Sequence, residues 1–475
     1  MLEDLIAERL KKLTNFQGAG FLPYPAESQR THWAKEIALD QGGVVVAGRI
    51  KGLRLQGGVF FADVYDESGK IQAVVRKDNF KDFDLFRDNL DIADFIEVSG
   101  DTFKTTKGEL SIDVRHLRLL AKALRPLPDQ WSGLEDQELR LRQRYLDILE
   151  HSEVKDLFIK KALFWDACRS FLRKSGFLEV ETPVLESIPG GADAEPFVTH
   201  HNALNADFYL RISLELPLKK LLVGGYEKVF EIGRIFRNEG IDKEHLQDYT
   251  QCEFYWAYQD YRGLMRFVEK LYKNIIKKTT GDLVTNFNDQ PINWGNKWQK
   301  IDYYKVFKQY AGLDLKKAKE KDLFDKAKEI DARPEQHLGR GRLIDLLFKK
   351  LVRSNLMEPC FLIDPPADIE PLAKRHRKYA DKVERFQVVA CGTELGKGFS
   401  ENNDPLDQRK RFEEQVKLRE AGDREAQRLD ETFLEAMEYG LPPAAGFGLS
   451  ERLFAILMNK PLRETVIFPL MKPKK

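Results

Sequence analysis

Arg237 and Glu239 sit in the string Val229-Phe230-Glu231-Ile232-Gly233-Arg234-Ile235-Phe236-Arg237-Asn238-Glu239-Gly240, which precedes a polar loop to Tyr249 and then Thr250-Gln251-Cys252-Glu253-Phe254-Tyr255-Trp256-Ala257-Tyr258. The pattern predicts strand, loop, strand. Strand side chains alternate, so Glu253, Tyr255 and Ala257 share one face and Cys252, Phe254 and Trp256 the other. An acid and a phenol pointing together make one wall of a polar pocket. An isolated Arg-x-Glu is an ordinary surface ion pair; the string around Arg237 sets this one apart. A second strand pair runs through Arg385-Phe386-Gln387-Val388-Val389-Ala390 and Thr393-Glu394-Leu395-Gly396-Lys397-Gly398-Phe399-Ser400-Glu401. Alternation places Lys397, Phe399 and Glu401 on one of its faces. The chain contains no G-x-x-x-x-G-K-[ST] phosphate loop, no G-x-G-x-x-G opening a helix after a strand, and no H-E-x-x-H, so the common nucleotide and zinc-hydrolase arrangements lose ground.

The elements that must carry these residues follow from composition and periodicity. A chain of 475 residues with 42% hydrophobic content can bury more than one core. Its net charge of +1 singles out no polyanion partner, so any such site must be local. Cys168, Cys252, Cys360 and Cys391 lie far apart without metal-binding spacing, which predicts neither disulfides nor structural zinc. With no apolar run long enough for a membrane and an acidic opening, a cytoplasmic, membrane-free protein is expected. Leu2, Leu5, Ile6, Leu10 and Leu13 predict an amphipathic helix over 2–14. Short apolar strands from Val44 to about Leu120 predict a small barrel. The Pro-rich Ala123-Leu124-Arg125-Pro126-Leu127-Pro128 and the basic run after it predict a linker. Beyond Val154 helices and strands follow no βα rhythm, which predicts an α+β core on an antiparallel or mixed sheet.

The Arg237 string, with Gly240-Ile241-Asp242 and His245, resembles motif 2 of class II aminoacyl-tRNA synthetases, and specifically the lysyl-tRNA synthetase family. Gly176-Phe177-Leu178-Glu179-Val180-Glu181-Thr182-Pro183 is similar to motif 1, the dimerisation element, and Gly446-Phe447-Gly448-Leu449-Ser450-Glu451-Arg452 to motif 3. Ile188-Pro189-Gly190-Gly191-Ala192 and Thr199-His200-His201-Asn202-Ala203-Leu204 extend the likeness along most of the chain. The resemblance implies a helix and lead-in at 1–36, an OB-fold anticodon-binding barrel at 37–124, a linker at 125–150 and a class II catalytic domain at 151–475. It implies a homodimer that uses ATP and Mg²⁺ to activate L-lysine and esterify it to tRNA.

The same resemblance implies the roles. Arg237 meets the α-phosphate and the substrate; Glu239, His245, Tyr249, Glu394 and Arg452 bind ATP, with Tyr249 and Arg452 on opposite faces of the adenine. Gly191, Glu215, Glu253, Tyr255, Lys397, Phe399 and Glu401 surround lysine. Glu394 and Gln387 hold the metal, and Arg54, Phe61 and Gln72 serve the anticodon. A buried ammonium requires a carboxylate, and Glu401 beside Phe399 and Tyr255 meets that requirement.

The chain also departs from the family. Gln387 replaces a metal-binding Glu, Lys397 an Asn, and Glu195 an Arg, while motif 3 is one residue short. Lys397 is expected either to meet the substrate carboxylate or to pair with Glu195. One deleted residue turns a helix by about 100°, so Arg452 reaches the nucleotide only if the strand-to-helix turn absorbs the change. These departures motivate two other readings: a ligase for a lysine analogue or another amino acid, and a non-catalytic tRNA-binding paralogue.

Overall fold

The computed structural model describes residues 2–128, 136–240, 246–335 and 338–473. It divides into two compact units, Met1–Gln137 and Glu138–Lys475.

The first unit contains α1 (Leu2–Gly18), β1 (Val44–Gln56), β2 (Val59–Tyr65), β3 (Lys70–Arg76), α2 (Phe83–Asn89), β4 (Phe95–Lys104) and β5 (Leu110–Ala121). The strands close into a barrel in the order β1-β2-β3-β5-β4. Val44, Val46 and Ile50 on β1 and Phe60, Ala62 and Val64 on β2 alternate into its interior, and α2 packs Phe83 and Phe86 into the same core. Helix α1 runs four residues beyond the expected Thr14. Its Leu2, Leu5 and Leu10 are nearly half exposed, whereas Phe16 is fully buried and meets Phe86 edge-on at 5.0 Å. An apolar stripe is buried only where a partner covers it, and here that is the last turn. Lys122 is fully buried, with Asp91 and Asp94 at 2.6 and 2.7 Å.

From Glu138, within α3 (Gln137–Arg142), the second unit continues through α4 (Arg144–Glu150) and α5 (Ser152–Lys174), so the basic run after the Pro-rich segment is helical. There follow β6 (Leu178–Glu179), β7 (Leu185–Glu186), β8 (Val198–His201), β9 (Ala206–Leu210), α6 (Glu215–Val223), β10 (Lys228–Phe236), β11 (Asp248–Ala257) and α7 (Tyr261–Thr280). After them come β12 (Val284–Phe287), β13 (Gln290–Asn293), β14 (Gln299–Asp302), α8 (Tyr303–Ala311), α9 (Glu320–Glu329), α10 (Arg340–Leu347) and β15 (Cys360–Ile363). The chain closes with β16 (Arg385–Ala390), β17 (Thr393–Ser400), α11 (Pro405–Glu420), α12 (Glu431–Glu438), β18 (Ala444–Ser450) and α13 (Arg452–Leu457).

The frame of this unit is an eight-stranded sheet in the order β14-β15-β16-β17-β18-β11-β10-β6. Its interior pairs are antiparallel, and only the edge strands β14 and β6 run parallel to their neighbours. One face is covered by α7, whose start is capped by the Asp260 carboxylate accepting from Arg262 N and Gly263 N and whose end is Gly281 at φ +85°. Leu264, Val268, Leu271 and Ile275, at helical spacing on α7, join Cys252, Phe254 and Phe447 of the sheet in one core. The opposite face of the same strands is thereby left for a site.

Candidate active site

That opposite face is organised by the register of three strands. Tyr255 on β11 and Phe399 on β17 flank Gly446 of β18, and Glu253 and Lys397 flank Gly448 one step along. The two glycines project no side chain, so the rows border a trough. It opens into a cavity of about 880 Å³ that also takes in Gly191, Glu215, Arg237, Tyr249 and Arg452. A Cβ on Gly446 would lie 2.2 Å from the Tyr255 ring and 2.6 Å from Glu401 Oε1. Glu253 and Tyr255 share this face, as strand alternation predicts, and the phenol donates to the carboxylate at 2.9 Å. Glu253 also accepts from Ser213 Oγ at 2.8 Å, Leu214 N at 3.0 Å and Gln251 Nε2 at 2.8 Å.

At one end, Arg237 leaves β10 with its guanidinium 5.7 Å from the ring centre of Tyr249 and Nε donating to Ile212 O at 3.3 Å. Burial works against its charge, but Tyr249, Glu239 and Glu253 outweigh burial and raise its pKa, so it is a permanent cation. The base of this hairpin is held by a buried pair that sequence reasoning missed, Arg211 with Glu231 at 2.6 Å; Glu231 also accepts from Thr182 N and Oγ1. Glu239 lines the cavity. His245 lies outside the described residues. Arg452 opens α13 after a single turn residue, Glu451, at φ −60° and ψ −10°. Glu451 accepts from Thr250 N at 2.9 Å and pairs with Lys161. The short strand-to-helix turn is thus pinned from two sides, and Arg452 stands on the cavity wall.

At the other end, Glu215 starts α6 and lines the cavity. Gly191 faces it at φ +83°, where a Cβ would sit 2.9 Å from Glu215 Cβ. Glu401 follows β17 and is 2% exposed, pairing with Lys219. Lys219 pairs with Glu215 as well, at 2.5 Å. Burial would lower the Lys219 pKa, but the two carboxylates outweigh it and raise the pKa. Burial lifts Glu215 to about 7. Lys219 was invisible to strand periodicity, and its one local signal is the four-residue spacing from Glu215 on a helix.

Lys397 pairs with Glu370 at 3.0 Å, which corrects the expected alternative of a pair with Glu195. Glu195 instead has Arg424 at 3.9 Å. Glu370 is 3% exposed and also lies 3.4 Å from Arg385; burial raises its pKa, and the two cations override burial and lower it. Gln387 Nε2 donates to Glu394 Oε2 at 2.6 Å. Val388 faces Gly396 and Val389 faces Glu394, so Leu395 is an extra residue on β17. That bulge reverses the alternation and turns Glu394 into the cavity with Lys397. Among the described residues no three His, Cys, Asp or Glu side chains gather to hold a metal by themselves.

In the barrel, Arg54 faces Phe61 across β1 and β2, its guanidinium 6.0 Å from the ring centre. Gln72 is 3% exposed, donating to Glu109 at 2.9 Å and accepting from Ser111 at 2.9 Å. Arg54 and Phe61 share a surface, whereas the Gln72 amide is committed to its neighbours.

Comparison with known proteins agrees with both units. Residues 136–472 match the class II tRNA synthetases (D, K and N), and 44–120 match the OB-fold nucleic acid binding domain. The chain is 44% identical to a lysine–tRNA ligase of Moorella thermoacetica, with 99% of this chain and 98% of the relative covered. Identity is 42% to that of Carboxydothermus hydrogenoformans, covering 100% and 99%, and 43% to that of Roseiflexus castenholzii, covering 100% and 99%. Likeness at this level over the full length, with a class II synthetase match over the unit that carries Arg237 and an OB-fold match over the barrel, means that the chain belongs to the lysine–tRNA ligase family of class II tRNA synthetases.

Proposed function

We propose that the chain activates L-lysine with ATP and transfers the lysyl group to the 3′-terminal ribose of tRNA(Lys), as a homodimer in the cytoplasm. The observation that carries the reading is the trough itself. It joins a cationic end at Arg237 to an aromatic sleeve of Tyr255 and Phe399 with carboxylates around it.

In the first step the lysine carboxylate attacks the α-phosphorus, an aminoacyl-adenylate forms and pyrophosphate leaves. In the second, a ribose hydroxyl attacks the acyl carbon and AMP leaves. The protein supplies position and charge rather than a nucleophile. Arg237 meets the α-phosphate oxygens, Tyr249 and Arg452 enclose the adenine, and Glu239 takes its amino group. Glu215 takes the substrate α-ammonium; Glu253, Tyr255, Phe399 and Glu401 enclose its side chain; Lys397, held by Glu370, faces its carboxylate. Glu394 and Gln387 suit Mg²⁺, which needs only one or two protein oxygens when phosphates supply others; bound there, it would neutralise phosphate charge. Arg54 and Phe61 suit stacking of an anticodon base. Ile159 and Leu163 on α5, with Leu178 and Leu185 beside it in sequence, are about half exposed and suit the dimer contact. No helix among the described residues is long and apolar enough to cross a membrane.

Amino-acid-dependent pyrophosphate exchange over a panel of amino acids tests the reading. Exchange with lysine alone is expected. Exchange driven by another amino acid would refute lysine as substrate, and no exchange at all would refute activation.

A further inference from the structure

We propose that Lys219 is a specificity-determining positioning residue: an internal ammonium that holds Glu215 and Glu401 so that each presents an oxygen to one ammonium group of a diamino acid substrate. The inference deepens the lysine-activating reading and rests on it.

Lys219 is 1% exposed and is not among the residues that line the cavity. It pairs with Glu215 Oε1 at 2.5 Å and with Glu401 Oε2. Three rings enclose it: its Nζ lies 5.9 Å from the centre of Tyr255, 5.3 Å from Phe399 and 5.9 Å from Phe433. Two of those rings, Tyr255 and Phe399, also line the trough. Lys219 and a lysine side chain in the trough would therefore share the same two aromatic walls.

The division of oxygens is what gives the arrangement a role. Lys219 forms its ion pair with Oε2 of Glu401, and Oε1 is buried without a hydrogen-bond partner among the described residues. That free oxygen lies 2.6 Å from where a Cβ of Gly446 would be, and Gly446 is the floor of the trough. The glycine is the gap through which Oε1 faces an incoming ammonium. Glu215 offers its Oε1 to Lys219 in the same way, and its residue lines the cavity. When ionised, Glu215 and Glu401 carry two negative charges against the one positive charge of Lys219, so the pair it holds keeps a net negative charge that attracts a substrate ammonium. An apolar residue at 219 would leave two buried carboxylates facing each other, which favours a shared proton over substrate binding.

The test is pyrophosphate exchange by the full-length enzyme with lysine and ATP varied in turn. Lys219→Met, which keeps length and removes charge, is expected to raise the KM for lysine tenfold or more while the KM for ATP stays within threefold. Lys219→Arg, which restores a cation, is expected to recover most of that loss. A lysine KM within twofold in Lys219→Met overturns the proposal, as does an equal rise in the KM for ATP, which is what a merely structural role would produce. If the methionine variant does not fold, Lys219→Arg decides alone: a lysine KM within about threefold supports the role, and a tenfold rise overturns it. Absence of lysine-dependent exchange in the parent enzyme would refute the lysine reading itself, whereas an active parent with an indifferent Lys219→Met refutes only the role of Lys219.

Discussion

Gly446→Ala places one methyl group at the narrowest point of the trough. The new Cβ would stand 2.2 and 2.4 Å from two carbons of the Tyr255 ring and 2.6 Å from Glu401 Oε1. Carbon atoms in contact need about 3.5 Å, so the ring must retreat by about 1 Å. Tyr255 is 3% exposed and its hydroxyl is tied to Glu253, which leaves it little room. Keeping the ring in place means overpacking, at about 1–3 kcal/mol. Moving it strains a hydrogen bond to a charged group, worth about 1.5–3 kcal/mol. Either route puts the loss near 2 kcal/mol in kcat/KM for lysine, or about 30-fold. The assay is lysine-dependent pyrophosphate exchange at saturating ATP, with the KM for ATP as control, since Arg237, Tyr249 and Arg452 are not among the atoms the methyl would meet. The melting temperature should fall by several degrees. Gly448→Ala is the comparison, because a Cβ there meets Gln251 at 3.3 Å and Glu253 at 3.5 Å and should leave the melting temperature nearly unchanged. A kcat/KM for lysine within threefold of the parent in Gly446→Ala, or equal melting temperatures for the two variants, would refute the reasoning.

Other outcomes follow from the same geometry. Arg237→Ala should lower kcat by roughly 3 kcal/mol of transition-state stabilisation, by analogy with removed oxyanion donors; undiminished exchange would remove Arg237 from the α-phosphate. Gln387→Glu adds a carboxylate beside Glu394 and should shift the Mg²⁺ dependence of exchange to lower concentration, so an unchanged midpoint would place the metal elsewhere. Lys122→Met leaves Asp94 buried without its cation, while Asp91 keeps Lys12 at 2.8 Å, and should destabilise the barrel by about 3 kcal/mol, read by denaturant unfolding; a change under 1 kcal/mol would contradict that pairing. Burial pushes the Glu186 carboxyl up to about 8, above its ordinary value, so the folded state holds an extra proton between those two pKa values. Stability from this group is therefore present at low pH and lost as pH rises towards 8. Glu186→Gln should flatten that decline in the melting temperature, and an unaltered slope would show that Glu186 ionises normally.

What the sequence determined by itself is the set of facts that follow from bonded periodicity. Glu253 and Tyr255 share a face because strand side chains alternate, and the same rule aligns Lys397 with Phe399. The barrel strands, the hairpin carrying Arg237 and the likeness to a family were legible for the same reason, since each is a local string. The tertiary structure decided what depends on residues distant in the chain. Glu394 joins the site only because Leu395 is an extra residue in the ladder opposite β16, and alternation counted along β17 cannot reveal a bulge set by the partner strand. Lys397 finds Glu370 rather than Glu195, and Glu401 pairs with Lys219. The stripe on α1 stays largely uncovered. A buried charge is stable only beside a partner, and an apolar face only beneath one; which residue becomes that partner is set by how the sheet brings distant segments together.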